Sequence, residues 1–179
     1  MSNLNRGAFF FLAAVLLCAP GCTQNNETDS DKEEKQQNEL DAEKVMPAQP
    51  VTFETISGTW ELKYPNNYGY TFRFFKNYRS IVILYLNNHA LVFKGVYTFE
   101  GSNLVRINIY EMKKSRRLSG INLHSGFVKA KSSFFKFSVE LRERKKNKLL
   151  LVRPRNITID GNNSDGYFEP LIKLKRRGR

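Results

Sequence analysis

Phe135-Lys-Phe-Ser-Val-Glu-Leu-Arg142 sets apolar side chains at 135, 137, 139 and 141 against polar ones at every position between. Successive side chains of an extended strand point to opposite faces, so this alternation describes a strand with one buried and one wet face. The pattern recurs on both sides. Tyr68, Tyr70, Phe72 and Phe74 alternate with Gly69, Thr71 and Arg73, and Leu91, Phe93, Gly95, Tyr97 and Phe99 alternate across 90–100. Val105, Ile107 and Ile109 face away from Arg106 and Asn108. The run 81–86 is apolar on both faces, so another part of the chain must cover its outer side. Helical periodicity persists nowhere beyond a couple of turns.

Turn chemistry separates these runs: Pro65-Asn66-Asn67, Lys76-Asn77, Asn87-Asn88, Gly101-Ser102-Asn103, Lys146-Asn147 and Gly161-Asn162-Asn163. The spacing predicts strands near 55–64, 68–76, 79–86, 90–100, 103–113, 126–144 (with a break at Ser132-Ser133), 148–152, 157–159 and 167–175. Short connections make neighbours antiparallel. About eight to ten such strands are expected to close into an all-β, antiparallel up-and-down barrel, because closure removes exposed edges. A two-layer sandwich is the competing architecture. A transmembrane barrel would also alternate, but a last strand ending Lys-Leu-Lys-Arg-Arg fits it badly.

Upstream the composition changes twice. Residues 23–50 hold eight acids and three lysines, no aromatic residue, and only Leu40, Val45 and Met46 as sizeable apolar side chains. Too little surface can be buried there to offset the entropy of ordering, so a disordered acidic tether is expected, with a reach of roughly 30 Å as a coil. Before it, Arg6 precedes the twelve-residue apolar run Ala8-Phe-Phe-Phe-Leu-Ala-Ala-Val-Leu-Leu-Cys-Ala19. A positive start, a short apolar run and small residues before a cut form a secretory signal, and the run is well short of the ~20 residues a membrane helix needs.

Ala19-Pro20-Gly21-Cys22 resembles the lipobox of bacterial lipoproteins. That resemblance implies cleavage after residue 21, acylation of Cys22, and a membrane partner reached through the acyl chains. The expected location is the cell envelope, with the outer membrane favoured; Thr23 merely lacks the aspartate that some sorting systems read as a retention signal, and which leaflet holds the anchor is left open. The organisation is thus a signal at 1–21, a lipidated cysteine and linker at 22–50, and a domain at 51–179. Cys18 leaves with the signal, so the mature chain keeps one cysteine and can form no disulfide framework.

Ser57-Gly58-Thr59-Trp60 opens the first strand, and Gly58-x-Trp60 resembles the lipocalin signature. The family's layout implies that Trp60 packs across the closed end of an eight-stranded barrel. An arginine after the last strand, Arg176 or Arg177, would lie against it.

The domain is rich in aromatics and strongly basic. From Val51 onward there are 25 lysines and arginines against nine acids, and 20 aromatic residues among 129. Two readings of function follow. In the first, the inward aromatics Phe72, Phe74, Phe93, Tyr97, Phe99, Phe135 and Phe137 wall a pocket for a small apolar or amphipathic ligand. In the second, basic patches bind anionic polymers such as lipopolysaccharide or sulfated glycans, or a protein partner. The patch residues are Lys113, Lys114, Arg116, Arg117, Lys145, Lys146 and Lys148, with the tail 173–179 adding charge. Nucleic acid is not an expected partner, because export separates the domain from it. The chain is expected to be monomeric.

Catalytic chemistry is thinly provided. There are two histidines, His89 and His124, and no nucleophile elbow, phosphate loop or paired-histidine motif. No enzymatic role, cofactor or metal is expected. The run Asp160-Gly-Asn-Asn-Ser-Asp-Gly166 has oxygen-bearing residues in the manner of a calcium loop, but an EF-hand needs glycine at position six and glutamate at twelve, where this chain has Asp165 and Leu171. An ordinary tight turn is the reading preferred here.

Overall fold

A computed structural model describes residues 47–144 and 147–178. The signal at 1–21, Cys22, the linker through residue 46, and Lys145 and Lys146 lie outside the described residues. The domain is built from β1 (Ala48–Gln49), a one-turn helix α1 (Phe53–Ile56), β2 (Gly58–Lys63), β3 (Tyr68–Phe74), β4 (Arg79–Leu86), β5 (His89–Phe99), β6 (Leu104–Ser115), β7 (Val128–Arg144), β8 (Asn147–Ile159), β9 (Asn162–Asn163) and β10 (Ile172–Arg176). Strands β2 to β8 pair in sequence order, and β10 pairs with both β8 and β2. The result is a closed, antiparallel, eight-stranded up-and-down barrel with two short additional strands, β1 and β9.

The alternation sorts the side chains as expected. Phe135, Phe137, Val139 and Leu141 are all at most 2% exposed, while Lys136 and Glu140 face outward in ion pairs with Glu100 and Arg142. Apolar residues inside and charged residues outside are the inverse of a lipid-facing barrel. The outer side of β4 is covered by the connection 116–127. Its Leu118, Ile121, Leu123 and Phe127 pack on Ile81, Ile83, Tyr85, Ala90 and Val92 to make a second, smaller apolar cluster. The two-faced run in 81–86 is explained by this strap.

Several boundaries differ from the sequence expectation. The strand expected from 55 begins at Gly58, and residues 53–56 are helical because Thr52 and Thr55 cap the turn reciprocally through backbone and side chain. Phe53 on this turn packs against Tyr78, Tyr97 and Phe99 with ring centroids 4.5, 5.6 and 4.8 Å away, so α1 lids one end of the barrel. Ala48 and Gln49, assigned to the tether, pair with Arg142 and Leu141 of β7. β7 outruns β6 by several residues, and β1 occupies the edge left open there. The expected break at Ser132-Ser133 is a bulge within one continuous strand: the register slips between Ile109 and Glu111, and Ser132 has φ 45°.

Likewise 148–152 and 157–159 belong to one strand, β8, whose register shifts opposite Lys136 and Phe137. Pro154 has no N–H to give the ladder, and a bulge is where a central strand tolerates it. The last strand begins at Ile172 rather than 167. A 3-10 turn at Asp165–Tyr167 precedes it and turns Phe168 into the barrel.

Candidate functional site

The end of the barrel closed by α1 is built around Trp60, which is fully buried. Its indole N–H donates to the Ile56 carbonyl at 2.7 Å. The Arg176 guanidinium lies 5.4 Å from the Trp60 ring centroid and donates to the Ser57 carbonyl at 2.7 Å. Arg177 turns the other way, to Glu61 at 3.3 Å. Gly58 has φ 137°, and a Cβ there would come within 3.1 Å of Arg176. The glycine is therefore required twice, by backbone conformation and by the space the arginine fills.

The seven aromatics expected to wall a pocket all point inward, but they meet one another. Phe72, Phe74, Phe93, Tyr97, Phe135 and Phe137 are at most 3% exposed, and Phe99 packs against them half-buried. Edge contacts join Phe72 to Phe137 at 5.5 Å, Phe93 to Phe135 at 4.9 Å and Phe74 to Tyr97 at 5.0 Å. Phe168 stands among them, 5.3 Å from both Phe135 and Phe137 and 6.4 Å from Phe72. An eight-stranded barrel is just wide enough for side chains to fill it or for one ligand to be held. Here side chains occupy the middle. Phe168 escaped the sequence reading because Gly166-Tyr-Phe-Glu-Pro170 has no alternation to mark it. Beside it, Tyr70 is buried, and burial pushes its phenol up to about 12, although the Glu169 backbone N–H donates to its oxygen.

Clefts lie at the barrel end and on the outer wall. One of about 820 Å³ is bordered by Lys76, Lys148, Arg176, Arg177 and Glu54 at the Trp60 end. Basic residues far apart in sequence, Lys148 and Arg176 with Arg177, meet there, because the start of β8 and the end of β10 share this end. Their charges are partly answered: Lys148 pairs with Glu143 at 2.6 Å. The remaining cluster lies at the opposite end. Within it Lys113 is committed to the strap, donating to the Asn122 and Ser125 carbonyls and sitting 4.6 Å from the Phe127 ring centroid. Lys114, Arg116 and Arg117 are exposed and form no ion pair among the described residues. The second cleft, about 420 Å³, is on the wall beneath the strap and is bordered by Arg73, Arg79, Lys94, Tyr110 and His124. None of these residues was singled out from the sequence as a site, because they are scattered over five segments.

Among the described residues no group of three or more His, Cys, Asp or Glu side chains is placed to hold a metal. In 160–166 the side-chain oxygens serve backbone amides instead of converging. Asp160 accepts from Lys131 N–H at 2.8 Å, Asp165 from Ile157 N–H at 2.7 Å, and Asn163 from Asp165 N–H at 2.9 Å.

The geometry defines a packed, closed eight-stranded antiparallel β-barrel with a basic exterior. No protein-family model, curated protein or solved structure matches the chain.

Proposed function

We propose that this chain is a lipid-anchored envelope protein, held through Cys22, whose barrel is a non-catalytic, monomeric interaction module binding anionic polymers through its basic exterior. The observation that carries this reading is the contrast between a filled interior and a basic surface. Phe168 and the inward rings meet one another inside the barrel, while Lys114, Arg116 and Arg117 stand exposed and unpaired among the described residues. The buried pairing of Trp60 with Arg176 at the lidded end supports a lipocalin-like layout. Attraction between a basic patch and a polyanion is a surface effect, screened over about 8 Å at physiological ionic strength.

Heparin and lipopolysaccharide binding by the full chain in detergent should therefore fall steeply as salt rises. Replacing Lys114, Arg116 and Arg117 together by alanine should weaken binding while leaving the melting temperature within a degree or two, since exposed charges contribute little to the fold. Polyanion affinity that is flat with salt, or unchanged in the triple variant, would sink this reading. The lipid anchor has its own test. Cys22→Ala should move the protein from the detergent to the aqueous phase on partitioning, and partitioning like the parent chain would remove the anchor.

A further inference from the structure

On the outer wall, side chains from four neighbouring strands form one row. Arg73 of β3 stands opposite Ile81 of β4, Ile81 opposite Lys94 of β5, and Lys94 opposite Glu111 of β6. Arg79, two residues before Ile81 on the same face of β4, joins the row at its edge. These residues border the cleft of about 420 Å³, and the strap closes it from above with Leu123 and His124. A volume of this size lies within the range of small-molecule sites.

The charges in the cleft do not balance. Lys94 is satisfied, with Glu111 Oε2 at 3.0 Å and the Phe127 ring centroid at 3.7 Å. That one carboxylate serves the row, and among the described residues neither Arg73 nor Arg79 forms an ion pair. Arg73 is the more telling of the two. Its Nε is buried and has no hydrogen-bond partner, although buried donors are nearly always paired and an exception calls for an explanation. Ser80 carries the other unpartnered buried side-chain atom among the described residues, but it alternates with Ile81 and belongs by register to the inner face. It borders the cleft as well, but as a neutral hydroxyl it adds no charge to the row.

Arg79 is engaged by the Tyr110 hydroxyl and lies in the field of Glu111, whereas the Arg73 Nε has no partner, so the donors of the two guanidinium groups outnumber the acceptors around them. Guanidinium presents N–H groups in a planar fork that matches the oxygens of phosphate or sulfate. We infer that the cleft beneath the strap binds a single oxyanion group, a phosphate or sulfate ester, with Arg73 and Arg79 as its principal donors and Tyr110 at its margin. The carrier of the ester would extend along the apolar edge made by Ile81 and Leu123. This is a defined, stoichiometric site and does not depend on the polyanion reading, which rests on exposed residues at and just past the end of β6.

Calorimetric titration of the full chain in detergent with a hexose phosphate and, separately, a hexose sulfate tests it. At least one ester should bind with one-to-one stoichiometry, and the arm that binds identifies the group. Arg73→Met keeps the aliphatic stem and removes the unpartnered donor, so it should leave the melting temperature equal or higher and weaken binding at least tenfold. Arg79→Gln, at an exposed position, should weaken binding by a similar factor and provides the test if Arg73→Met disturbs the fold. The triple replacement of Lys114, Arg116 and Arg117 should leave ester binding unchanged while weakening heparin. If neither ester binds, or if both arginine variants bind like the parent, the site is overturned, whatever heparin does.

Discussion

The inside of the barrel and the outer wall of β3 to β6 use the same kinds of strand to opposite ends. Inside, the space is filled by aromatic rings meeting at edges, with Trp60 and Tyr97 each donating to a backbone carbonyl. Outside, a small apolar cluster under the strap lies next to cations that outnumber their carboxylates, and one buried donor has no acceptor. Stability is concentrated inside. The outer wall keeps groups that a purely structural surface would not need, and such places are where binding is to be sought.

The contrast breaks most visibly if the interior proves soft. Phe137→Ala should cost about 3–5 kcal/mol in urea unfolding, against a few tenths for Lys136→Ala. Phe137 touches Phe72, Phe135 and Phe168, and the domain has no disulfide framework to compensate. Equal costs for the two variants would show that the ring set is not the core.

Tyr70 sharpens the comparison at alkaline pH. Burial disfavours the phenolate and pushes its pKa up to about 12, above the ordinary tyrosine value of about 10. A raised value means that its contribution to stability is fully present below about pH 10 and is lost as the pH rises toward 12. Absorbance titration at the phenolate band should show late-ionising tyrosines, Tyr64 and Tyr97 being raised as well, with one fewer in Tyr70→Phe. Complete ionisation near pH 10 without unfolding would place Tyr70 in solvent.

The strap should be weaker than the barrel. Leu123→Ala removes part of the outer cluster and should cost about 1 kcal/mol. In hydrogen exchange, amides at 116–127 should open well before those of β7, because few buried contacts hold them. Coincident exchange would make the strap part of the global folding unit. The smallest effect is expected at Ser80, whose buried hydroxyl has no partner. Ser80→Ala should change stability by less than about 0.5 kcal/mol or raise it slightly, since a desolvated, unpaired group is removed. A loss above 1 kcal/mol would mean that the hydroxyl is in fact bonded.

Much of the architecture was legible in the sequence because strand side chains have a period of two. The inward faces of β3, β5, β6 and β7 follow directly from Phe72, Phe93, Ile107 and Phe137 and their alternates. The doubly apolar run at 81–86 announced that something had to cover it, without saying what. The strap itself was opaque, because its Leu118, Ile121, Leu123 and Phe127 follow neither strand nor helix spacing. Of the basic residues, the clusters were visible as runs, whereas Arg73, Arg79 and Lys94 were hidden as the polar half of ordinary alternation.

By itself, then, the sequence determined which side chains of each strand face inward and that neighbouring strands run antiparallel, since both follow from local periodicity and short turns. It also settled the inventory: one tryptophan, an excess of cations and no sulfur pairs in the domain. Only the tertiary structure decided that Arg176 and not Arg177 meets Trp60. The same holds for Phe168 filling the interior, bulges carrying β7 and β8 past Ser132 and Pro154, and two arginines sharing a cleft with few carboxylates. Each of these depends on register between strands or on closure of β10 against β2, and contacts between residues over a hundred positions apart leave no periodic trace in the chain.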